Sequence, residues 1–175
     1  MEKYDYIICG GGASGLLLSN AFIKDEFFND KKILIIERES KTLNDKTFSF
    51  WDNQSNVLDR IVFKSWEKAE FKDSEFSSSF NLSPYKYKMV RSDRFYSYMR
   101  GKINRASNFN YLNATVIDID KDSNQNNVKT VHGDFLCSVV FSSIYEPKKY
   151  DFKKYPLLNQ QVHQEIKHHK TKTYF

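Results

Sequence analysis

Four of the six glycines in this 175-residue chain lie between residues 10 and 15. The apolar run YDYIIC precedes this glycine-rich stretch, and LLLSNAF follows it. The first run predicts a strand that is buried on both faces, whereas the second carries apolar residues at helical spacing. A further apolar segment, KKILIIERES, predicts a second buried strand. Strand, glycine turn, helix and strand within about thirty residues form one βαβ unit.

The glycines have the spacing of a dinucleotide-binding turn. Gly10, Gly12 and Gly15 match G-x-G-x-x-G between a predicted strand and a predicted helix. Gly10 permits the tight turn out of the strand, and Gly12 lets the backbone approach a diphosphate. Gly15 allows the helix to pack closely on the strand. The stretch therefore predicts a phosphate-binding turn.

Two neighbouring features complete the predicted site. The backbone N–H groups of Ala13 and Ser14, together with the partial positive charge of the helix N-terminus, are expected to meet the phosphates. Glu37, at the end of the second strand, is placed to accept hydrogen bonds from a ribose and disfavours the 2′-phosphate of NADP. A glycine turn used only for packing would need neither Gly12 nor this carboxylate. The ligand remains open between FAD and NAD at this point.

The next part of the chain departs from helix–strand alternation. Residues 41–56 show no clear period and predict a functional loop, whereas residues 57–90 alternate apolar and polar side chains between Ser, Asn and Pro turns. That pattern predicts short antiparallel strands inserted into the α/β unit. A helix is expected from about Ser92 to Ala106, followed by strands in NYLNATVIDIDKD and VKTVHGDFLCSVVFSSI.

This insertion favours a flavoprotein over a nicotinamide dehydrogenase. Flavoproteins of the hydroxylase type have an arginine before a helix at this place, and Arg91 matches it. Its guanidinium could make charge-assisted hydrogen bonds to the phosphate or ribitol region of a flavin. The alternative is that Arg91 only flanks the start of a helix.

Charge and composition argue against several other classes of function. The net charge is +5, but the lysines are spread among acidic segments, and only the part from Lys148 onward is locally basic. We therefore expect no nucleic-acid partner. His163, His168 and His169 lie in a polar tail without carboxylates at defined spacing, so no metal site is expected.

The two cysteines and the lack of long apolar spans point to a cytoplasmic protein. Cys9 and Cys137 each lie in an apolar run without a CxxC partner, so both are predicted to be reduced core residues. No span approaches about 18 apolar residues, and the first residues lack the pattern of a signal peptide.

Several segments together resemble the flavin-dependent lycopene cyclases, of the lycopene β-cyclase type. The segments are NDKTFSFW at residues 44–51, YDYIICGGGASGLLLS, ILIIERES and MVRSDRFYSYM, and CSVVFSSIYEP is similar to a later strand that ends near the cofactor. The resemblance covers about residues 4–161. Asp45, Thr47, Phe50 and Trp51 match the family's Asp-x-Thr-x-x-Phe-Trp arrangement and are assigned to the substrate pocket.

The resemblance implies FAD as the cofactor. The residues assigned to it are Gly10, Gly12, Ala13, Ser14, Gly15, Glu37, Arg91 and Val116. The fold expected is α/β, a Rossmann-type βαβ FAD-binding domain with inserted antiparallel β segments, incomplete at the C-terminus. Residues 1–161 would form this partial domain, and residues 162–175 a disordered tail unlike the family. The chain is thus predicted to be a truncated FAD-binding fragment, inactive alone.

What the complete family enzyme does follows from the resemblance only. It closes the end groups of lycopene, or of a related polyene, into β-rings without net redox change, and NADPH is the expected reductant of the flavin. A peripheral contact with the inner face of the membrane is also expected. No residue is assigned as the catalytic acid, because Asp45 is expected to orient its loop. Two alternatives stay open: an FAD-dependent oxidoreductase or monooxygenase with another class of substrate, and a non-functional remnant.

Overall fold

The structure is a computed structural model that describes residues 1–121 and 125–144. Residues Met1–Ser143 form one compact unit. Single 3₁₀ turns occur at Glu26–Phe28 and Asp59–Ile61. The elements are β1 (Glu2–Cys9), α1 (Ala13–Lys24), β2 (Ile33–Glu37), β3 (Thr47–Asp52), β4 (Lys64–Trp66), β5 (Lys68–Lys72), β6 (Ser77–Asn81), β7 (Lys86–Arg91), α2 (Ser92–Ile103), β8 (Phe109–Asn113), β9 (Val116–Lys121), β10 (Asn126–Thr130) and β11 (Gly133–Ser142).

The main sheet has six strands in the order β8-β2-β1-β11-β10-β9. The first four strands run parallel, and β10 and β9 continue the sheet antiparallel. Every residue of β2 is buried, as expected for a parallel strand covered on both faces. Because β1 and β2 are parallel neighbours joined through α1, the predicted βαβ unit is confirmed.

The main sheet coils so that its two edge strands come close together at one point. Strands β8 and β9 lie at opposite edges of the sheet, yet only Ala114 and Thr115 separate them. Val116 therefore lies at most about 11 Å from Asn113, since consecutive Cα atoms are about 3.8 Å apart. The prediction of one strand across NYLNATVIDIDKD was wrong. Strand β8 pairs with β2 as far as Asn113, whereas β9 pairs with β10 from Val116 onward, so the segment divides into two strands.

The predicted insertion of antiparallel strands is present. Strands β3, β7 and β4 form a three-stranded antiparallel sheet, and β5 and β6 form a separate hairpin. Residues 41–56 are not wholly a loop as predicted, because six of them form β3 along β7. Phe48 and Phe50 face the core, whereas Thr47, Ser49 and Trp51 are exposed. Strand β3 is only six residues long, and the adjacent Phe50 and Trp51 interrupt its alternation of apolar and polar residues. The sequence therefore shows no clear strand period here.

Apolar faces of α1, α2 and the main sheet form the core. Helix α2 ends at Ile103 rather than at the predicted Ala106, because the chain turns from Asn104 onward. Neither helix of the described part has the length and apolar character needed to cross a bilayer. The buried cluster consists of Ile8, Leu16, Phe22, Ile33, Ile35, Val90, Phe95, Tyr96, Met99, Ile103 and Phe109.

Both cysteines are buried as predicted, although neither belongs to this cluster. Cys9 on β1 and Cys137 on β11 are fully buried and free. Burial raises the pKa of the Cys9 thiol to about 12 and that of the Cys137 thiol to about 11. Both thiols are therefore protonated at neutral pH and act as core side chains.

Candidate dinucleotide-binding site

The chain leaves β1 through a glycine in a left-handed conformation. Gly10 has φ +110°, and a Cβ there would lie 2.1 Å from Ser143 Oγ. Its N–H donates to the Ile36 carbonyl at 2.8 Å. Only glycine meets both the backbone angle and the close approach, so the predicted tight turn is present.

The other two motif glycines face different surroundings. A Cβ at Gly15 would lie 2.0 Å from the Gly10 carbonyl oxygen and 3.1 Å from Ile8 Cγ2. Gly15 therefore permits the close packing of α1 on β1. At Gly12 no heavy atom lies within 4 Å of the position that a Cβ would take. This open space beside the backbone fits a bound diphosphate.

The N-terminus of α1 is suited to an anion. Gly12 is the N-cap residue, no side chain caps this end, and the first turn contains no acidic residue. The first N–H groups of a helix lack intrahelical acceptors and carry partial positive charge. The N–H groups of Ala13 and Ser14 belong to this turn, and Ser14 is exposed. Both residues therefore lie where the sequence predicts a phosphate contact, and that contact stays a prediction.

Glu37 lies directly beside the glycine turn. Its side chain is 8% exposed, and its Oε2 accepts a hydrogen bond from the Gly11 N–H at 2.8 Å. Its Oε1 accepts one from the Glu39 N–H at 3.0 Å, and Lys41 Nζ is 4.0 Å from the same oxygen. A carboxylate can accept about four hydrogen bonds, so acceptor capacity remains for ribose hydroxyls.

Gly11 was missed by the sequence analysis, which treated it as a variable motif position. A Cβ there would lie 2.6 Å from Tyr111 Oη and 2.9 Å from Glu37 Cβ. The tyrosine comes from β8, about a hundred residues away along the chain. No local signal in the sequence could have revealed this contact.

Arg91 and Val116 occupy the ends of two strands. Arg91 closes β7 and is the N-cap residue of α2, and its guanidinium carbon lies 4.3 Å from the centroid of the Phe63 ring. Val116 begins β9 opposite Thr130, close to the strand that pairs with Glu37. The assignment of both residues to the cofactor stays a prediction.

Asp45 is bound to the start of α2. Ser92 is fully buried, and its Oγ lies 3.1 Å from Asp45 Oδ1 and 3.2 Å from the Leu43 carbonyl oxygen. The Lys46 N–H donates to Ser92 Oγ at 3.1 Å. This arrangement agrees with the expectation that Asp45 orients its loop. The sequence placed Ser92 at the start of a predicted helix, where serine is frequent, but did not indicate its contact with Asp45.

The structure does not bring the four predicted pocket residues together on one surface. Phe50 packs against the core, whereas Thr47 and Trp51 lie on the opposite face of β3. The Trp51 side chain is 57% exposed and contacts Tyr87 with its ring tilted, the ring centroids lying 4.9 Å apart. Their role in binding a polyene stays a prediction.

The sequence model of the family described as "Lycopene cyclase protein" matches residues 5–170. The chain belongs to the lycopene cyclase family. The match extends over part of the predicted tail, residues 162–175, which lies outside the described residues together with His163, His168 and His169. No curated protein matches the chain significantly.

Solved structures show that this lycopene cyclase family chain has the fold of flavin-dependent enzymes. The p-nitrophenol 4-monooxygenase PnpA from Pseudomonas putida DLL-E4 is 16% identical with TM-score 0.64, covering 81% of this chain and 41% of that one. The flavin-dependent brominase Bmp2 is 18% identical with TM-score 0.62, covering 80% and 37%. The OxyS anhydrotetracycline hydroxylase from Streptomyces rimosus is 16% identical with TM-score 0.59, covering 80% and 31%. The chain thus spans about two fifths or less of their lengths.

A cleft lies beside the inserted sheet of this family member. It has a volume of about 420 Å³, and Lys88, Asp52 and Asp59 are among its lining residues. Lys88 Nζ is 2.9 Å from Asp52 Oδ2 and 2.7 Å from Asp59 Oδ1. Hydrogen bonds from Lys88, which makes the largest contribution, and from Ser55 Oγ and the Asn56 N–H lower the pKa of Asp59 to about 2. Within the described residues, no group of three or more His, Cys, Asp or Glu side chains could hold a metal ion.

Proposed function

We propose that this chain binds FAD and forms the FAD-binding part of a lycopene cyclase-like protein of carotenoid biosynthesis. The observation that carries the proposal is the position of Glu37, whose carboxylate accepts the Gly11 N–H at 2.8 Å beside the open space at Gly12. A carboxylate, an uncapped helix start and a turn without side chains are the three features that an adenosine diphosphate group requires.

The described residues fit the ADP half of FAD. The diphosphate would lie over Gly12 against the first N–H groups of α1, and the ribose hydroxyls would donate to Glu37. The negative charge of Glu37 would repel a 2′-phosphate, which argues against NADP at this site. The family match and the flavin-dependent brominase among the structural neighbours favour a flavin over NAD.

We propose that the longer family enzyme closes the end groups of lycopene into β-rings. Bound reduced FAD would supply negative charge near the carbocation without net electron transfer, and NADPH would be its reductant. The residues of this chain hold the cofactor: α1 binds the diphosphate, Glu37 orients the ribose, and Ser92 fixes the loop that carries Asp45. We propose that the 175-residue chain is inactive alone, because it spans only about two fifths or less of the flavin-dependent enzymes whose fold it shares. Contact with lycopene and with the membrane surface belongs to the same proposal.

Replacing Gly12 tests the FAD site without disturbing the fold. Its φ of −77° suits alanine, and the added methyl group would meet no protein atom within 4 Å. In Gly12→Ala that methyl group would occupy the space of the diphosphate. We expect the variant to stay folded, with a loss of at most about 1 kcal/mol in the free energy of unfolding because alanine is a poorer N-cap than glycine. It should bind FAD at least about tenfold more weakly, measured by isothermal titration.

Gly101→Ala is the matched control, because that glycine is also free of neighbours within 4 Å but lies on α2. It should bind FAD like the wild type. Equal FAD affinity in Gly12→Ala and the wild type would refute the proposed seat. A wild type that binds no FAD would leave the non-functional remnant as the interpretation.

A second candidate, an FAD-dependent monooxygenase of another substrate class, is favoured by the fold shared with PnpA. The two functions differ in oxygen use. A protein that extends beyond this chain, supplied with reduced FAD and lycopene, would form β-ring products without consuming oxygen if it is a cyclase. NADPH-dependent oxygen consumption without ring closure would support the monooxygenase instead.

A further inference from the structure

A partly buried arginine contacts the surroundings of the glycine turn, outside every motif of the sequence. Arg100, on α2, donates from Nη2 to Tyr111 Oη at 2.9 Å, and from Nη1 to the Ser40 carbonyl oxygen. Its guanidinium carbon is also 4.9 Å from the centroid of the Tyr111 ring. One side chain therefore joins α2, strand β8 and the loop that follows β2.

Tyr111 transmits this contact to the candidate site. Its Oη lies so close to Gly11 that a Cβ on Gly11 would be 2.6 Å away. Burial raises the pKa of Tyr111, so its hydroxyl keeps its proton at neutral pH while it accepts the bond from Arg100. Gly11 in turn donates its N–H to Glu37. A continuous set of contacts thus runs from Arg100 through Tyr111 and Gly11 to Glu37.

Arg100 also leaves a buried donor without a partner. Its Nε is buried and has no hydrogen-bond partner in the part of the chain that the structure describes. Such groups are uncommon in folded proteins, and each one calls for a reason to be retained. Holding Tyr111 and Ser40 with the rigid fork of a guanidinium is a task that lysine or an apolar side chain would not perform equally.

We propose that Arg100 is a positioning residue for the ribose-binding carboxylate of Glu37, acting through Tyr111 and Gly11. The inference rests on the proposed FAD site. It assigns Arg100 and Tyr111 to the recognition of the ribose, because they orient Glu37 toward the ribose hydroxyls. It assigns them no part in binding the diphosphate at α1. Loss of the pair should therefore weaken recognition of a ribose hydroxyl, which a general loss of stability would not do selectively.

The experiment compares ADP with 2′-deoxy-ADP as competitors of FAD on the full 175-residue chain. A hydrogen bond from the ribose 2′-hydroxyl to a carboxylate predicts that the wild type prefers ADP by about tenfold. In Tyr111→Phe the preference should fall to about threefold or less. Tyr4→Phe is the matched control, because Tyr4 Oη also accepts a side-chain hydrogen bond, from Asn110 Nδ2 at 3.2 Å, but lies near the start of β1.

Arg100→Lys is the second variant and keeps the charge while removing the fork. It should show the same reduced preference, and it decides the question if Tyr111→Phe does not fold. An undiminished preference for ADP in the folded variants overturns the inference. So does a wild type that binds FAD but does not bind ADP, or that binds ADP and 2′-deoxy-ADP equally well. A wild type that binds none of these ligands refutes the proposed FAD site, and the inference falls with it.

Discussion

A methyl group on Gly15 would lie 2.0 Å from the carbonyl oxygen of Gly10, whereas one on Gly12 would touch nothing. The two motif glycines thus serve different purposes: Gly15 lets α1 pack against β1, and Gly12 keeps the space beside the helix start empty. Gly11, between motif positions, is as restricted as Gly15 because Tyr111 and Glu37 approach it. Substitutions in this turn can therefore separate folding from ligand binding.

Gly15→Ala should destabilise the fold. The atom that the new methyl group meets belongs to the backbone, so α1 or β1 must shift, and overpacking of this kind costs about 1–3 kcal/mol. We expect the free energy of unfolding, measured by urea denaturation, to fall by that amount. Gly101→Ala, which has open space and helical backbone, should leave it unchanged or raise it by up to about 1 kcal/mol. Equal stability of the two variants would contradict this account of Gly15.

Helix α2 holds both ends of the loop between β2 and β3. Its first residue, Ser92, hydrogen-bonds to Lys46 and lies beside Asp45, and Arg100 binds the carbonyl of Ser40 near the other end. Strand β7, which leads into α2, carries Lys88 between Asp52 and Asp59. A single β7–α2 segment therefore fixes the position of the loop that carries Asp45.

The ion pairs of Lys88 predict a pH dependence of stability. Because hydrogen bonds, chiefly the one from Lys88, lower the folded-state pKa of Asp59 to about 2, below the usual value of about 3.9, ionised Asp59 stabilises the fold above about pH 4. That contribution is lost as the pH falls from about 4 toward 2. In Lys88→Met, the free energy of unfolding should be lower than in the wild type at about pH 5, and the difference should narrow by about pH 2.5.

Urea denaturation at several pH values measures this effect. Lys86→Met is the control, because the ion pair of Lys86 with Glu67 is exposed on both sides. Its pH profile should follow that of the wild type. A constant difference between Lys88→Met and the wild type across the pH range would show that the lysine stabilises through packing alone.

The main sheet and the inserted strands differ in how well they are covered. Helices α1 and α2 and the main sheet bury most of their apolar side chains in one core and expose a few, such as Ile117 and Phe141, whereas the inserted region exposes several large aromatic side chains. Exposed apolar patches of this kind promote association between molecules. The side chains concerned are Trp51, Phe63, Phe71, Phe76, Phe80 and Tyr85.

Removing two of these rings should reduce self-association. Phe71 and Phe76 are 59% and 55% exposed, and their ring centroids lie 6.1 Å apart on the β5–β6 hairpin. The double variant Phe71→Ser/Phe76→Ser should remain monomeric at higher protein concentration than the wild type, as measured by sedimentation velocity. Phe27→Ser, at a 60% exposed phenylalanine outside this region, should not differ from the wild type. An equal gain in both variants would argue against a specific patch.

Much of the site follows from residues that are close in sequence. The apolar runs, Gly10, Gly12 and Gly15, and the acidic end of the second strand predicted the βαβ unit and the place of Glu37, and the structure contains all of them. These features can be predicted from the sequence because backbone angles, helix charge and strand burial depend on residues within one or two elements.

Tertiary contacts decided the rest. Gly11 is restricted by a tyrosine on β8, Asp45 is held by a serine on α2, and β3 exists because β7 pairs along all six of its residues. Each of these arrangements brings together segments that are distant in the chain, and no local residue pattern indicates which segments will meet. The linear order of residues was sufficient to indicate a dinucleotide turn, whereas packing between distant elements determined which side chains support it.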